Sequence, residues 1–375
     1  MNHPSRVLIL ALCLCLWAAL AGTSLAADPV LAVDGQPLTF GSSALLNGLW
    51  TPAELAGSAA DRVIGAVGAP DPSLPPPLPP DLLASIALPP VPPELRGVIR
   101  RVNVDRVRAG QGRARGGCKV VAITFDLCER ANNVAGYNNQ IINLLRAKGL
   151  RATFFAGGKW MRSHPEKAMQ LMADPRFELG SHTWTHGNLA LMDPAQIRTQ
   201  MQPTQAQYAL LRQELARRAE ARGLSAHMAQ VPQALRVMRL PYGRSSELAV
   251  GELAAAGYPV IQWDVEGERD EEENAPAILA KNALAAIRPG SIVLLHANAV
   301  PQKTFDILER LLKGLRRRGY ELVTVSELLR LGKVETVAEG YFTVPGDNLK
   351  YDAIFPGKGT LKPDPSRPFT SVPVP

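Results

Sequence analysis

The chain has 375 residues, 46% of them hydrophobic and 20% charged, with a formal net charge of +7. That composition is ordinary for a globular protein, and the length suits one large α/β domain with appendages. In a chain that opens with an export signal, so mild a basic excess excludes nucleic acid as the expected partner.

Residues 1–27, MNHPSRVLILALCLCLWAALAGTSLAA, carry Arg6, an apolar run from Val7 to about Leu20, and small residues at Ser24, Ala26 and Ala27. This is the pattern of a secretory signal peptide. The run is shorter than the roughly 18 to 20 residues of a spanning helix, and no later run reaches that length. We therefore expect an exported protein, periplasmic or extracellular, without stable membrane insertion after signal cleavage. An uncleaved anchor is the alternative. Cys13 and Cys15 leave with the signal. The strand expected between Cys118 and Cys128 would hold those two thiols roughly 25 Å apart, beyond disulfide reach.

Residues 28–117 read as an N-terminal extension. It is Pro-rich from about Ala69 to Pro93, then basic and glycine-rich in RVRAGQGRARGGCK. Such a segment favours extended conformations and has little with which to build a core, although a small fold around residues 30–66 is compatible with it. The basic run fits a solvated linker or a hold for an anionic envelope polymer.

From Lys119 short apolar runs alternate with helical stretches, so the main domain is placed at 118–333. The predicted strands are KVVAITFD (119–126), ATFFAG (152–157), FELGS (177–181), RVMRL (236–240), YPVIQW (258–263), SIVLLH (291–296) and YELVTV (320–325). Helices between them carry legible punctuation. NNQIINLLRAKG closes on Gly149, Asp193 before Pro194 reads as an N-cap, and ALAAIRPG stops at Pro289 and Gly290. QKTFDILERLLKGLRRRG is apolar at Phe305, Leu308, Leu311, Leu312 and Leu315, which is helical spacing. About seven strands separated by helices predict a parallel sheet, and strands apolar on both faces suit a barrel with an outer ring of helices. The segment 334–375, ending in KPDPSRPFTSVPVP, reads as a C-terminal tail, an extended wrap or disordered.

In such barrels chemistry gathers at the carboxyl ends of the strands. Asp126 closes the first predicted strand, His182 and His186 follow the third, Arg239 and PYG end the fourth, WDVEGE follows the fifth, and His296 closes the sixth. The chain has six histidines in all. Two of them four residues apart can grip one ion from one face if a helical turn follows the third strand, through neutral imidazole nitrogens. His164 and His227 match no metal spacing and read as surface residues.

Taken in order, TFD, ATFF, HTWTH, RLPYG and LLH resemble the motifs of the polysaccharide deacetylases, the NodB homology or carbohydrate esterase family 4 group. The resemblance implies a distorted (β/α) barrel, a divalent metal (usually zinc), and removal of N-acetyl or O-acetyl groups from an acetylated polysaccharide. Residue by residue, it implies His182 and His186 as metal ligands and Asp126 as the base that activates water. It further implies the backbone N–H of Tyr242 as an oxyanion donor, His296 as the acid, and Arg239 as the group that orients Asp126.

The chain departs from the pattern where the family has two adjacent aspartates, because Leu127 follows Asp126. Glu129 is the expected third metal ligand, with Asp126 as base. The swapped roles, or help from Asn132 or Asn133, are alternatives. Among the acids of WDVEGERDEEE, which include Asp264, Glu266 and Asp270, Asp264 is the expected partner of the arginine or the histidine. Ala297 stands where an acid often follows the histidine. Cys128 lies beside the site, and packing is the commoner fate of a buried cysteine. The expected function is an exported, metal-dependent deacetylase. A small-molecule amidase of the same fold and a catalytically silent carbohydrate-binding module are its rivals.

Overall fold

The computed structural model describes residues 32–33, 36–37, 43–65, 68–71, 73–104, 119–269 and 274–355. The expected signal peptide, Cys118, Asp270 and the tail beyond residue 355 lie outside the described residues. No helix among the described residues is long and apolar enough to cross a membrane.

A twisted barrel of largely parallel strands forms the core. Its strands are β1 (Val98–Val104), β2 (Val120–Leu127), β3 (Ala152–Ala156), β4 (Phe177–Ser181), β5 (Val260–Ile261), β6 (Val265–Glu266), β7 (Ile292–His296), β8 (Glu321–Leu322) and β9 (Gly332–Val337). The order β4-β3-β2-β7-β6 is parallel throughout, with β8 beside the start of β2. Around the other side, Met238 bridges β4 to β5, β5 runs parallel to β1, and Arg101 bridges to Ser291 at the foot of β7. The distorted α/β barrel expected from the sequence is thus present, with β1 completing its wall.

Strand alternation divides the apolar residues into two layers. Val120, Ala122, Ile292 and Leu294 pack inside with Phe155, Ile261 and Trp263. Val121, Ile123, Phe125, Leu127, Val293 and Leu295 face outward, under the helices Asn139–Ala147 and Thr304–Arg317. A strand apolar on both faces is the one arrangement that satisfies both layers.

Several sequence expectations change. RVMRL contributes only the bridge at Met238, because Arg239 turns its backbone toward Ser181. YELVTV yields a two-residue strand, because Thr324 caps a helix at Val325–Leu329 in a reciprocal capping box with Glu327. The extension supplies β1, and its helices Ala44–Leu49 and Pro52–Ala56 bury Leu45, Leu46, Trp50 and Leu55 in the main core. These core-forming segments lie on either side of the Pro-rich stretch, the helices within the region around 30–66 and β1 after Pro93, and each is too short to stand out by periodicity. At the other end, β9 adds antiparallel to β1, and the chain to residue 355 wraps back over the barrel mouth.

Glu129 is turned away from the barrel mouth into a buried ion pair. Its Oε1 accepts from Lys159 Nζ and from Ser163 Oγ, each at 2.6 Å, and its Oε2 accepts from the Ala135 N–H at 2.9 Å. Lys159 and Glu129 are both fully buried as side chains. The carboxylate expected as a metal ligand is therefore consumed in holding the loop after β2 to the helix Gly158–Ser163. His164, expected at the surface, is buried and stacked 5.0 Å from Trp160, whereas His227 is exposed.

Two stability predictions follow from this framework. Gly290 has φ +84, and a Cβ there would meet the Val102 carbonyl oxygen at 1.8 Å, so Gly290→Ala should cost roughly 2–4 kcal/mol in denaturant unfolding. Glu129→Gln strands the Lys159 ammonium and should cost about 3–5 kcal/mol, with much of the loss recovered in the Glu129→Leu, Lys159→Met double variant. Equal stability of Glu129→Gln and the parent protein would refute the structural role.

Candidate active site

The register of β2 and β7 makes Asp126 and His296 direct neighbours, since they pair across the parallel strands. Both are buried, 4% exposed. Being at even positions of their strands, they face the barrel interior along with Ala122 and Leu294, at the carboxyl ends where ligands gather.

Arg239 is wholly buried and holds Asp126. Its Nη1 donates to Asp126 Oδ1 at 2.8 Å, while Nη2 and Nε donate to the carbonyls of Gln262 and Ile261 at 3.1 and 3.3 Å. The guanidinium lies over the Phe155 ring, 4.2 Å from its centre. Burial pulls its pKa down, against the pull of Asp126. A planar fork with fixed donors suits this position in a way that a lysine would not.

His296 is positioned by Glu268, which sequence reasoning had not singled out. Its Nδ1 lies 2.7 Å from Glu268 Oε2, its backbone N–H donates to Oε1 at 3.2 Å, and Thr304 Oγ1 donates to the same Oε1. Burial disfavours charge on the imidazole, but Glu268 outweighs it, with help from Cys128, and holds the His296 pKa well above the usual histidine range. A second turn into WDVEGE would have found Glu268 only through knowledge of the loop path.

Asp264, the expected partner, points elsewhere. It accepts from Ser291 Oγ and the Ile292 N–H, each at 2.9 Å, and braces the foot of β7 rather than its top. Asp264 precedes the two-residue strand β6 (Val265–Glu266), so only the residues from its end onward reach the carboxyl end. Burial raises the Glu266 pKa to about 7.

His182 and His186 come together, but not on a helical turn. The segment after β4 is an irregular loop with Thr183 at φ 65 and His186 at φ 57, and the N–H groups of Trp184 and Thr185 donate to Gln200 Oε1. Left-handed backbone at two residues with side chains costs free energy that this anchoring must offset. The imidazole centroids are 4.8 Å apart. His182 Nδ1 is 2.9 Å from the Arg239 carbonyl; a carbonyl can only accept, so Nδ1 carries the proton and Nε2 presents its lone pair. That Nε2 lies 3.3 Å from Cys128 Sγ and 3.7 Å from Asp126 Oδ2. His186 is buried and its Nδ1 has no hydrogen-bond partner. Burial lowers the His186 pKa, whereas at His182 the nearby Asp126 and Cys128 overcome burial and raise it.

Cys128, read from sequence as a packing residue, stands at the centre of this group as a free, buried thiol. Ligand atoms of Cys128, His182 and His186 all lie within 4.8 Å of one another, and so do those of Asp126, Cys128 and His296. Two imidazoles, a thiol and a carboxylate in so small a volume, with one buried ring nitrogen left unpaired, fit a divalent transition metal.

Tyr242 shapes the opening. It adopts φ 59 within the PYG turn, meets the His186 ring edge-on at 4.5 Å, and stacks on Phe355 at 4.4 Å and Tyr351 at 5.5 Å. The cleft, about 290 Å³ including the part open to solvent, is lined by Asp126, His186, Tyr242, Trp263, His296 and Phe342 among others. All of the expected catalytic and metal residues except Glu129 and Asp264 are therefore gathered around one cleft.

Known proteins share this chain's pattern. Residues 113–261 match the polysaccharide deacetylase family. The chain is 29% identical over 201 residues to a chitooligosaccharide deacetylase of Bradyrhizobium sp. (strain ANU 289), covering 50% of this chain and 82% of the relative. It is 28% identical over 219 residues to the peptidoglycan-N-acetylglucosamine deacetylase PgdA of Listeria monocytogenes, covering 57% of this chain but only 41% of that protein. The solved Bc1960 peptidoglycan N-acetylglucosamine deacetylase shares the fold, with a TM-score of 0.50 and 20% identity, covering 64% of this chain and 97% of that one. The family match thus falls on residues 113–261, the stretch that carries the motifs TFD, ATFF, HTWTH and RLPYG, and in it the chain is similar to the polysaccharide deacetylases.

Proposed function

We propose that the protein is an exported, metal-dependent deacetylase that hydrolyses acetyl groups, N-acetyl in the first instance, from a cell-envelope or extracellular polysaccharide. The observation that carries the reading is the pairing of Asp126 and His296 across one strand pair, each buried and each fixed by a different partner. One carboxylate and one imidazole face the same cleft with opposite proton tasks. The names of the relatives, deacetylases of chitooligosaccharide and of peptidoglycan, support the choice of an acetylated amino sugar. The composition of residues 1–27 supports export.

His182 and His186 would hold the ion, with a third donor from the group around Cys128. A divalent ion there supplies positive charge that acidifies water and polarises an acetyl carbonyl. Asp126, oriented by Arg239, takes the proton of the attacking water. Glu268 beside His296 favours its protonated form, and His296 would deliver that proton to the departing sugar amine. Tyr242 positions its main chain at the cleft, where its N–H would support the oxyanion. Trp263 and Phe342 give the cleft apolar walls suited to the face of a sugar ring.

The test is acetate release from peptidoglycan, chitooligosaccharides, poly-N-acetylglucosamine and O-acetylated xylan. Asp126→Asn should lose about 10²–10⁴-fold in kcat. Glu268→Gln removes the charge that raises the His296 pKa, so the acid is lost at lower pH: the alkaline limb of the pH–kcat profile should shift downward, with a roughly tenfold or greater fall at neutral pH. Wild type that binds glycan yet releases no acetate from any substrate would replace the enzyme with a binding module, and release only from small amides would favour an amidase.

A further inference from the structure

Resting on the metal-dependent reading above, we propose that Cys128 is the third protein ligand of the centre, so that the ion is held by one thiolate and two imidazoles. The resemblance implied a carboxylate after Asp126, but the chain has Leu127 there, and the expected replacement, Glu129, is not free to fill the place. Leu127 points outward into the helix-packed core. Glu129 has both oxygens committed to Lys159, Ser163 and the Ala135 N–H. Strand alternation explains the substitution: residue 127 faces away from Asp126, and the next side chain able to turn back toward the interior is residue 128. Its backbone is fixed, because Asn298 Nδ2 donates to the Cys128 carbonyl at 3.0 Å and the Gly157 N–H donates to the Leu127 carbonyl at 3.1 Å.

The distances suit coordination. Donors around a tetrahedral zinc, at about 2.0 Å for nitrogen and 2.3 Å for sulfur, lie roughly 3.5 Å apart. Cys128 Sγ is 3.3 Å from His182 Nε2, and the three donor atoms all fall within 4.8 Å of one another. A thiol–imidazole hydrogen bond alone would account for the first distance. His186, a second buried imidazole in the same group, also lies within hydrogen-bonding reach of Cys128; one S–H proton cannot be donated to two rings, and the His186 Nδ1 has no partner at all.

Cys128 also belongs to the second group, with Asp126 and His296. There, however, Asp126 is tied to Arg239 and His296 to the Glu268 carboxylate. The first group leaves both free for proton transfer, and His182 is braced as metal-binding histidines commonly are, by a hydrogen bond from its other nitrogen. On binding, the thiol gives its proton to the buffer and the sulfur donates an electron pair to the ion. A thiolate in the set favours zinc or cobalt(II) over magnesium, manganese or calcium.

The test is a titration of the metal-free, reduced protein with cobalt(II), followed by absorption. Wild type should bind one ion and develop a thiolate-to-cobalt charge-transfer band in the near ultraviolet. Cys128→Ser should bind at least tenfold more weakly and lack the band, and Cys128→Asp should regain binding without it. His296→Gln should keep the band, whereas His186→Gln should lose the ion. One bound cobalt in wild type without the band would overturn the thiolate ligand while leaving the deacetylase reading to stand on acetate release. A band that survives in Cys128→Ser, or one that is lost in His296→Gln but kept in His186→Gln, would overturn the assignment equally. Failure of wild type to bind any cobalt or zinc, with acetate still released, would overturn metal dependence and this inference together.

Discussion

The buried guanidinium of Arg239 is the interaction on which the rest of the site depends. It is wholly buried, and it reaches Asp126 on β2 and the carbonyls of Ile261 and Gln262 at the end of β5. The same residue's carbonyl receives the Nδ1 proton of His182. One side chain and its own peptide therefore set the angle of the Asp126 carboxylate and the tautomer of His182. A cation so deep is tolerable only because its hydrogen-bonding edges are met by a carboxylate and two carbonyls and its face by Phe155. The loss of any one of these partners would expose the others to an unpaired buried charge.

Charge is distributed so that each acid in the neighbourhood has one task. Asp126 is paired with Arg239, Glu268 with His296, Asp264 with the foot of β7, and Glu129 with Lys159. Three buried carboxylates, Asp126, Glu129 and Glu268, and the half-buried Asp264 would repel one another and shift toward protonation if they shared a space. Here separate partners keep them apart.

Much of this was legible in the sequence, and the remainder was not for identifiable reasons. Runs apolar on both faces marked β2, β3, β4 and β7, and the polar residues at their ends pointed to the cleft, because a strand fixes where its last side chain faces. Glu129 was misread because spacing along a chain does not reveal that Lys159, thirty residues away, would claim it. Glu268 was missed because the loop from β6 to the helix Pro276–Ala286 has no periodicity to locate it. Cys128 was assigned to packing on composition alone; the alternation that carries Leu127 outward was already visible in KVVAITFDLC, and would have placed residue 128 beside Asp126. β1 was hidden because VIRRVNV carries two arginines, and both find partners: Arg100 on the Gln262 side chain and the Tyr341 and Phe342 carbonyls, and Arg101 on Glu335.

Those partners show how the segments outside the barrel's central strands reach the chemistry. Arg100 on β1 holds the chain at Tyr341 and Phe342, and Asn348 Nδ2 donates to the carbonyls of Gly243 and Gly340. Arg244 and Asn188 meet Asp352 in turn, at 2.7–2.8 Å. Phe342, Tyr351 and Phe355 are thereby set around Tyr242 and Trp263. The matched family residues end at 261, so this aromatic wall is built by sequence beyond that match and tied down by a strand that precedes most of it. Fold and proton chemistry reside in the strand ends, whereas the shape a substrate must satisfy is imposed by residues 340–355 lying across them. Tyr242 stacks directly on Phe355 and Tyr351, and Phe342 lines the cleft against Trp263, so residues 340–355 close one side of the opening above Asp126 and His296 and limit the room there.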